Sequence, residues 1–174
     1  MDDINSTLDR LLQADMATTA AASGEIRHGF SLSGHHFLLQ PGTYCELAAK
    51  QSICALPDCP DWFAGFINHR GHAVPVYDLA RYLDTNIPRA GQKREFWILL
   101  LDAHPNTAGF MIPTLPTVLT DLSSVEHLNA TDQPANLSSF ISQAWQQNGQ
   151  RWYEIDHTAL LNHLKLQFQP SKQQ

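Results

Sequence analysis

The chain has 174 residues, 43% of them hydrophobic, and a formal net charge of −6 from 11 Lys and Arg against 17 Asp and Glu. That is enough for one domain or two small lobes sharing a core, and too apolar for wholesale disorder. The acidic balance, with Lys and Arg well spread, argues against a nucleic-acid groove, which needs a basic stripe, and against a surface adhering to anionic lipid.

No apolar run approaches bilayer-spanning length. The start, with Asp2 and Asp3, lacks the basic and apolar regions of a secretory signal. Cys45, Cys54 and Cys59 form no C-x-x-C pair and read as reduced thiols, so a soluble cytosolic protein is expected. In chain order, Ile4, Leu8, Leu11 and Leu12 share one helical face over residues 3–13, and Ala17 to Gly24 reads as a linker. Such a short helix must dock on something to persist.

From Ile26 the period changes to two. Ile26, His28, Phe30 and Leu32 point one way, and Arg27, Ser31 and Ser33 the other. Ser33-Gly34 turns the chain into His36 to Gln40, and Pro41-Gly42 breaks it again. Tyr44 to Leu47 and Ser52 to Leu56 are further short apolar pieces. Thr85 to Glu95 reads as an exposed loop, and Phe96 to Leu101 as a strand buried on both faces. His104 to Thr107 turns it into Ala108 to Ile112, and Val118 and Leu119 resume after Pro113 and Pro116. Short strands at close spacing predict an all-β sandwich or barrel. Near the end, Leu137, Phe140, Ile141, Ala144 and Trp145 fit one helical face stopped by Gly149. Trp152 to Ile155 predicts a strand, Asp156 a helix cap, Leu160, Leu161 and Leu164 a terminal helix, and 167–174 a frayed tail.

The central stretch is Gly65 to Leu79. Two apolar runs flank the tight turn Asn68-His69-Arg70-Gly71, where Asn and Gly tolerate positive φ. Pro75 lacks a ladder donor and places its strand at an edge or a bulge. Asp78 is placed to cap a helical turn over Leu79 to Leu83. An arginine on a rigid hairpin is a contact surface more than a catalytic one.

These residues carry a resemblance. Pro60, Gly65, Asn68, Arg70, Gly71, Pro75, Val76, Asp78 and Leu79 match, at fixed spacing, the signature of the CheW-like family of coupling proteins in bacterial chemosensory arrays. Tyr44-Cys45-Glu46-Leu47 sits where the family places an acidic residue, and the likeness covers about Ile26 to Leu164. His69 departs from the usual leucine, which suggests a divergent branch such as those serving type IV pilus pathways.

The resemblance implies a mainly β fold of two SH3-like five-stranded barrels over residues 25–166 with short C-terminal helices, to which the N-terminal helix and its linker are extensions. It implies no catalysis, no cofactor and a cytoplasmic location at membrane receptor arrays. The implied partners are a chemoreceptor's cytoplasmic tip and the regulatory domain of a CheA-type histidine kinase.

Candidate contact residues are Arg70, Asn68, His69, Glu46, Trp62, Phe63 and Val76, since aromatics and arginine are enriched at binding hot spots. Arg70 is either a recognition residue or a lock on its own hairpin. Gly65, Gly71, Pro75 and Asp78 are shape-setters, as Asn68 is in part. The nine histidines show no spacing suited to a metal, and no nucleophile motif is present. Two other readings stand beside the adaptor: a small β-barrel hydrolase or metal-dependent enzyme using His72 and Asp78, and a degenerate scaffold that binds only the kinase.

Overall fold

The computed structural model describes residues 25–48, 51–88, 94–127 and 129–168. The helix expected over 3–13, its linker and the chain beyond Phe168 lie outside the described residues. Eleven strands are described: β1 (Arg27–Leu32), β2 (His35–Leu39), β3 (Cys45–Ala48), β4 (Phe63–His69), β5 (His72–Tyr77), β6 (Trp97–Leu101), β7 (Ala108–Ile112), β8 (Thr117–Leu119), β9 (Ser123–Val125), β10 (Ile141–Gln147) and β11 (Gln150–Ile155). Two α-helices join them, α1 (Leu79–Leu83) and α2 (His157–Gln167). Among the described residues no helix is long and apolar enough to cross a membrane.

The strands form two sheets, ordered β8-β1-β2-β11-β10-β9 and β3-β6-β7-β5-β4. They make the two SH3-like β-barrel subdomains, the first with one strand more than the five expected. Period-2 alternation decides how the subdomains meet. In β6, Leu99 and Leu101 face a core shared with Phe30, Leu32, Phe37 and Leu39 of the first sheet, while Ile98 and Leu100 face a second core with Ile67, Val74, Val76 and Met111. Leu160, Leu161 and Leu164 of α2 complete the shared seam. Each such buried Leu or Ile contributes roughly 1.5–3 kcal/mol.

Three hairpins turn on two-residue loops whose residues both have positive φ: Ser33-Gly34 (50° and 80°), Arg70-Gly71 (52° and 84°) and Asn148-Gly149 (49° and 77°). The third overturns the helix expected over Leu137 to Trp145. Ile141–Gln147 is strand β10, hydrogen-bonded to β11 across the Asn148-Gly149 turn and to β9 on its other side. Short apolar runs fit helical and strand spacing alike, and the hairpin turn with its ladder decides between them.

Three other expectations change. Pro75 lies in an inner strand, since β5 sits between β4 and β7. Its missing donor is tolerated because the β7 ladder begins at Val76. Asp78 begins α1, but its side chain makes no cap bond and instead accepts from Arg94 Nη2 at 2.7 Å. Gln167, expected in a frayed tail, closes α2, and the Phe168 ring meets Phe63 edge-on at 4.8 Å between centroids.

Gly65 sets a bulge in β4, not a turn. It has φ +132°, and a Cβ there would lie 2.2 Å from the Cys54 carbonyl oxygen. The Cys54 segment bridges Phe66 with backbone bonds of 2.8 and 2.9 Å. The three cysteines are free thiols.

Candidate functional site

β3 and β4 stand at opposite ends of the second sheet's order, yet Glu46 of β3 meets the tip of the β4–β5 hairpin. Its Oε1 lies 2.6 Å from His69 Nε2, and its Oε2 accepts from Arg70 Nη2 at 3.1 Å and from the Tyr44 hydroxyl at 2.7 Å. The sheet therefore curls until its ends meet, and the ion cluster spans the join. The Tyr44 hydrogen bond first, and then the Arg70 and His69 charges, hold the Glu46 carboxyl below the usual carboxylate range against some desolvation.

Local chemistry shapes the tip. Gly71 N–H donates to Asn68 Oδ1 at 3.0 Å, which fixes the two-residue loop. Positive φ falls on Arg70 and Gly71, whereas Asn68 stays in the strand and acts through its side chain. The Arg70 side chain is 71% exposed, and Nη2 is the donor it commits to Glu46.

Beside the tip lies a cleft of about 200 Å³ between the hairpin, β3 and the β6–β7 turn. Its floor is Val74 and Leu100, and its rim holds Arg70, His72, His104 and Asp102. The His72 and His104 rings stack at 3.8 Å between centroids, 20° from parallel. Asp102 stands at φ +63°, donates its N–H to Tyr44 O at 2.9 Å, and lies 2.9 Å through Oδ2 from Nε2 of buried His157. Among the described residues no group of three or more His, Cys, Asp or Glu could hold a metal ion.

Arg70, Asn68, His69 and Glu46 therefore come together, although Glu46 lies 24 residues before Arg70 and nothing in the sequence places it at the hairpin. Phe63 does not join them. At 8% exposed it packs against Phe66, Tyr77 and Phe168, so it is no surface anchor. Val76, fully buried in the second core, is likewise out of a partner's reach. Trp62 is half-buried, stacked on Tyr77 at 6.2 Å, and forms no part of the cleft wall.

The site imagined from His72 and Asp78 does not form. The two flank strand β5 at opposite ends, roughly 20 Å apart at strand rise, and Asp78 is buried against Arg94. Tyr44, Asp102 and His104 went unnoticed as cleft residues. The sequence shows His104 only as part of a turn, and nothing local reveals that its ring stacks on His72.

Comparison with known proteins agrees with this architecture. The CheW-like domain family matches residues 29–165. The chain is 29% identical over 101 residues to Protein PilI of Pseudomonas aeruginosa, an alignment covering 58% of this chain and 57% of that protein. The chain thus spans a little over half the length of the curated relative it matches. The crystal structure of the scaffolding protein TtCheW from Thermoanaerobacter tengcongensis superposes with a TM-score of 0.57 at 20% identity, over 76% of this chain and 89% of that one. With its signature hairpin, its two subdomains and a match running through most of its length, the chain belongs to the CheW-like domain family.

Proposed function

We propose that this chain is a non-enzymatic adaptor that couples a chemoreceptor's cytoplasmic tip to the regulatory domain of a CheA-type histidine kinase, in the cytoplasm at a membrane receptor array. The observation that carries this reading is the Glu46, His69 and Arg70 cluster, which spans the join of a barrel and holds a guanidinium out in solvent. A guanidinium already tethered through one nitrogen loses less entropy on binding, and the donors it keeps free suit a partner's carboxylates or carbonyls. The likeness to PilI favours a pilus-linked pathway over a flagellar one. Array geometry multiplies weak contacts, so modest interfaces suffice.

Titration calorimetry against the kinase regulatory domain and a receptor-tip fragment from the same genome tests the reading. The wild-type chain binds both. Arg70→Ala keeps the kinase domain and loses at least tenfold toward the tip. Failure of the folded wild-type protein to bind either partner overturns the proposal, and binding to the kinase domain alone reduces the chain to a scaffold.

A further inference from the structure

At the base of the β4–β5 hairpin, the end away from Arg70, a second cavity of about 130 Å³ carries polar groups that the fold uses only in part. Asp78 and Arg81 line it and are 2% and 8% exposed, whereas Ala55 and Leu56 stand exposed at its mouth. Each buried group is engaged on one side. Asp78 Oδ2 accepts from Arg94 Nη2 at 2.7 Å, while Oδ1 has no partner among the described residues. Arg81 Nη1 donates to Ile87 O at 2.8 Å and Nη2 lies 3.0 Å from Asp61 Oδ2, while Nε has no partner among the described residues. A buried acceptor and a buried donor are thus left unpaired on two side chains that line one cavity, and each has lost its hydration in return for nothing.

The charges here are already paired, Asp78 with Arg94 and Arg81 with Asp61, so an ionic guest meets no net counter-charge to offset its desolvation. The complementary guest is neutral. It donates to Asp78 Oδ1 and accepts from Arg81 Nε. The two residues stand three apart in the chain, as neighbours on one face of a turn, so the guest's donor and acceptor belong on separate atoms. A primary carboxamide has that arrangement and a hydroxyl does not. Ile53, Leu56 and Phe63 also line the cavity and supply apolar wall for a short methylene arm.

We propose that this cavity is a seat for a primary carboxamide on a short aliphatic arm, the side chain of glutamine or asparagine, with Arg81 Nε donating to its carbonyl and Asp78 Oδ1 accepting from its N–H. The seat shares no lining residue with the cleft beside Arg70, so it is a second contact and stands independently of the adaptor reading.

The test uses the full chain and three probes, the N-acetyl, N′-methylamide derivatives of glutamine, glutamate and norleucine, followed through the Arg81 Nε–H resonance. The glutamine probe saturates that signal. The glutamate and norleucine probes bind about tenfold more weakly or worse, as buried polar groups left unpaired require. Two variants are read through the backbone amides of Phe63 and Ala64. Arg81→Lys keeps the charge facing Asp61 and removes the Nε donor, and Ala55→Trp closes the mouth from an exposed position; each loses the glutamine probe. Free glutamine separates the sources: saturation by it as well assigns the guest to a free small molecule, and saturation by the derivative alone assigns it to a side chain within a polypeptide. No saturation by the glutamine probe overturns the seat. So does equal binding of glutamine and norleucine, or glutamine binding that survives in both folded variants.

Discussion

The molecule holds two arginine–glutamate pairs of opposite character, one in each subdomain. Arg27 of β1 is 4% exposed and bonds Glu154 of β11 at 2.7 Å. Arg70 is 71% exposed and bonds Glu46 at 3.1 Å. The buried pair is satisfied from several sides. Arg27 Nη2 and Nε also donate to Leu39 O at 2.7 and 3.3 Å, and its guanidinium lies 5.5 Å from the Trp145 ring centroid. Glu154 further accepts from Ser142 Oγ at 3.0 Å and Trp145 Nε1 at 3.0 Å. These bonds tie β1, β2, β10 and β11 of the first sheet together. The exposed pair spans a barrel join and leaves most of its guanidinium unused. The same two residue types lock the fold in one setting and leave a guanidinium in solvent in the other, and burial decides which.

The largest effect is expected from breaking the buried pair. Glu154→Ala strands Arg27 without a counter-charge and should cost about 3 kcal/mol, read as a lower denaturation midpoint in urea. Gly65→Ala sharpens the contrast from inside the second subdomain. A methyl 2.2 Å from the Cys54 carbonyl at φ +132° should cost about 2 kcal/mol, which would show that this barrel tolerates no backbone damage although its surface pair is dispensable.

A pH scan separates the pairs further. Burial alone raises the Glu154 carboxyl, but hydrogen bonds from Arg27, Ser142 and Trp145 and the Arg27 charge outweigh it and hold it below its ordinary value. A carboxyl depressed in the folded state stabilises fully above its unfolded value, near 4.3, and loses that contribution as pH falls through the folded one. The melting temperature of the wild-type protein should therefore fall more steeply between pH 5 and pH 3 than that of Glu154→Gln. The smallest stability effect belongs to Glu46→Ala, which removes solvent-screened contacts worth under about 1 kcal/mol. It also releases the Arg70 guanidinium from its tether, and calorimetry should show weaker receptor-tip binding.

The hairpin that carries Arg70 was legible in the sequence, whereas neither its pairing with Glu46, 24 residues away, nor the buried pair was. The hairpin of Arg70 is written in local turn chemistry, with Asn68 bonding Gly71 three residues on and two positive-φ positions between the strands. Arg27 and Glu154 lie 127 residues apart, and no short-range pattern encodes their meeting. The β1 alternation placed Arg27 opposite Phe30 correctly, but could not say that β11 and Trp145 would bury that side too. Ile141–Gln147 was misread because its apolar spacing suits a helix, while the decisive Asn148-Gly149 turn was taken as a helix stop. Phe63 follows a turn, as a partly exposed anchor would, and Val76 suits a core or a groove equally; nothing in the alternation says which core each one faces. Asp78 was read as a side-chain cap, and the distant Arg94 claims its carboxylate instead.

Whether Arg70 is a contact or a lock is tested most directly by a paired measurement on Arg70→Ala: a thermal melt beside a receptor-tip titration. The prediction is a melting temperature within about 2 °C of wild type, as a screened surface pair implies, with tip affinity reduced at least tenfold. A melting temperature many degrees lower, with tip affinity per folded molecule unchanged, would contradict it and make Arg70 a strut of the barrel.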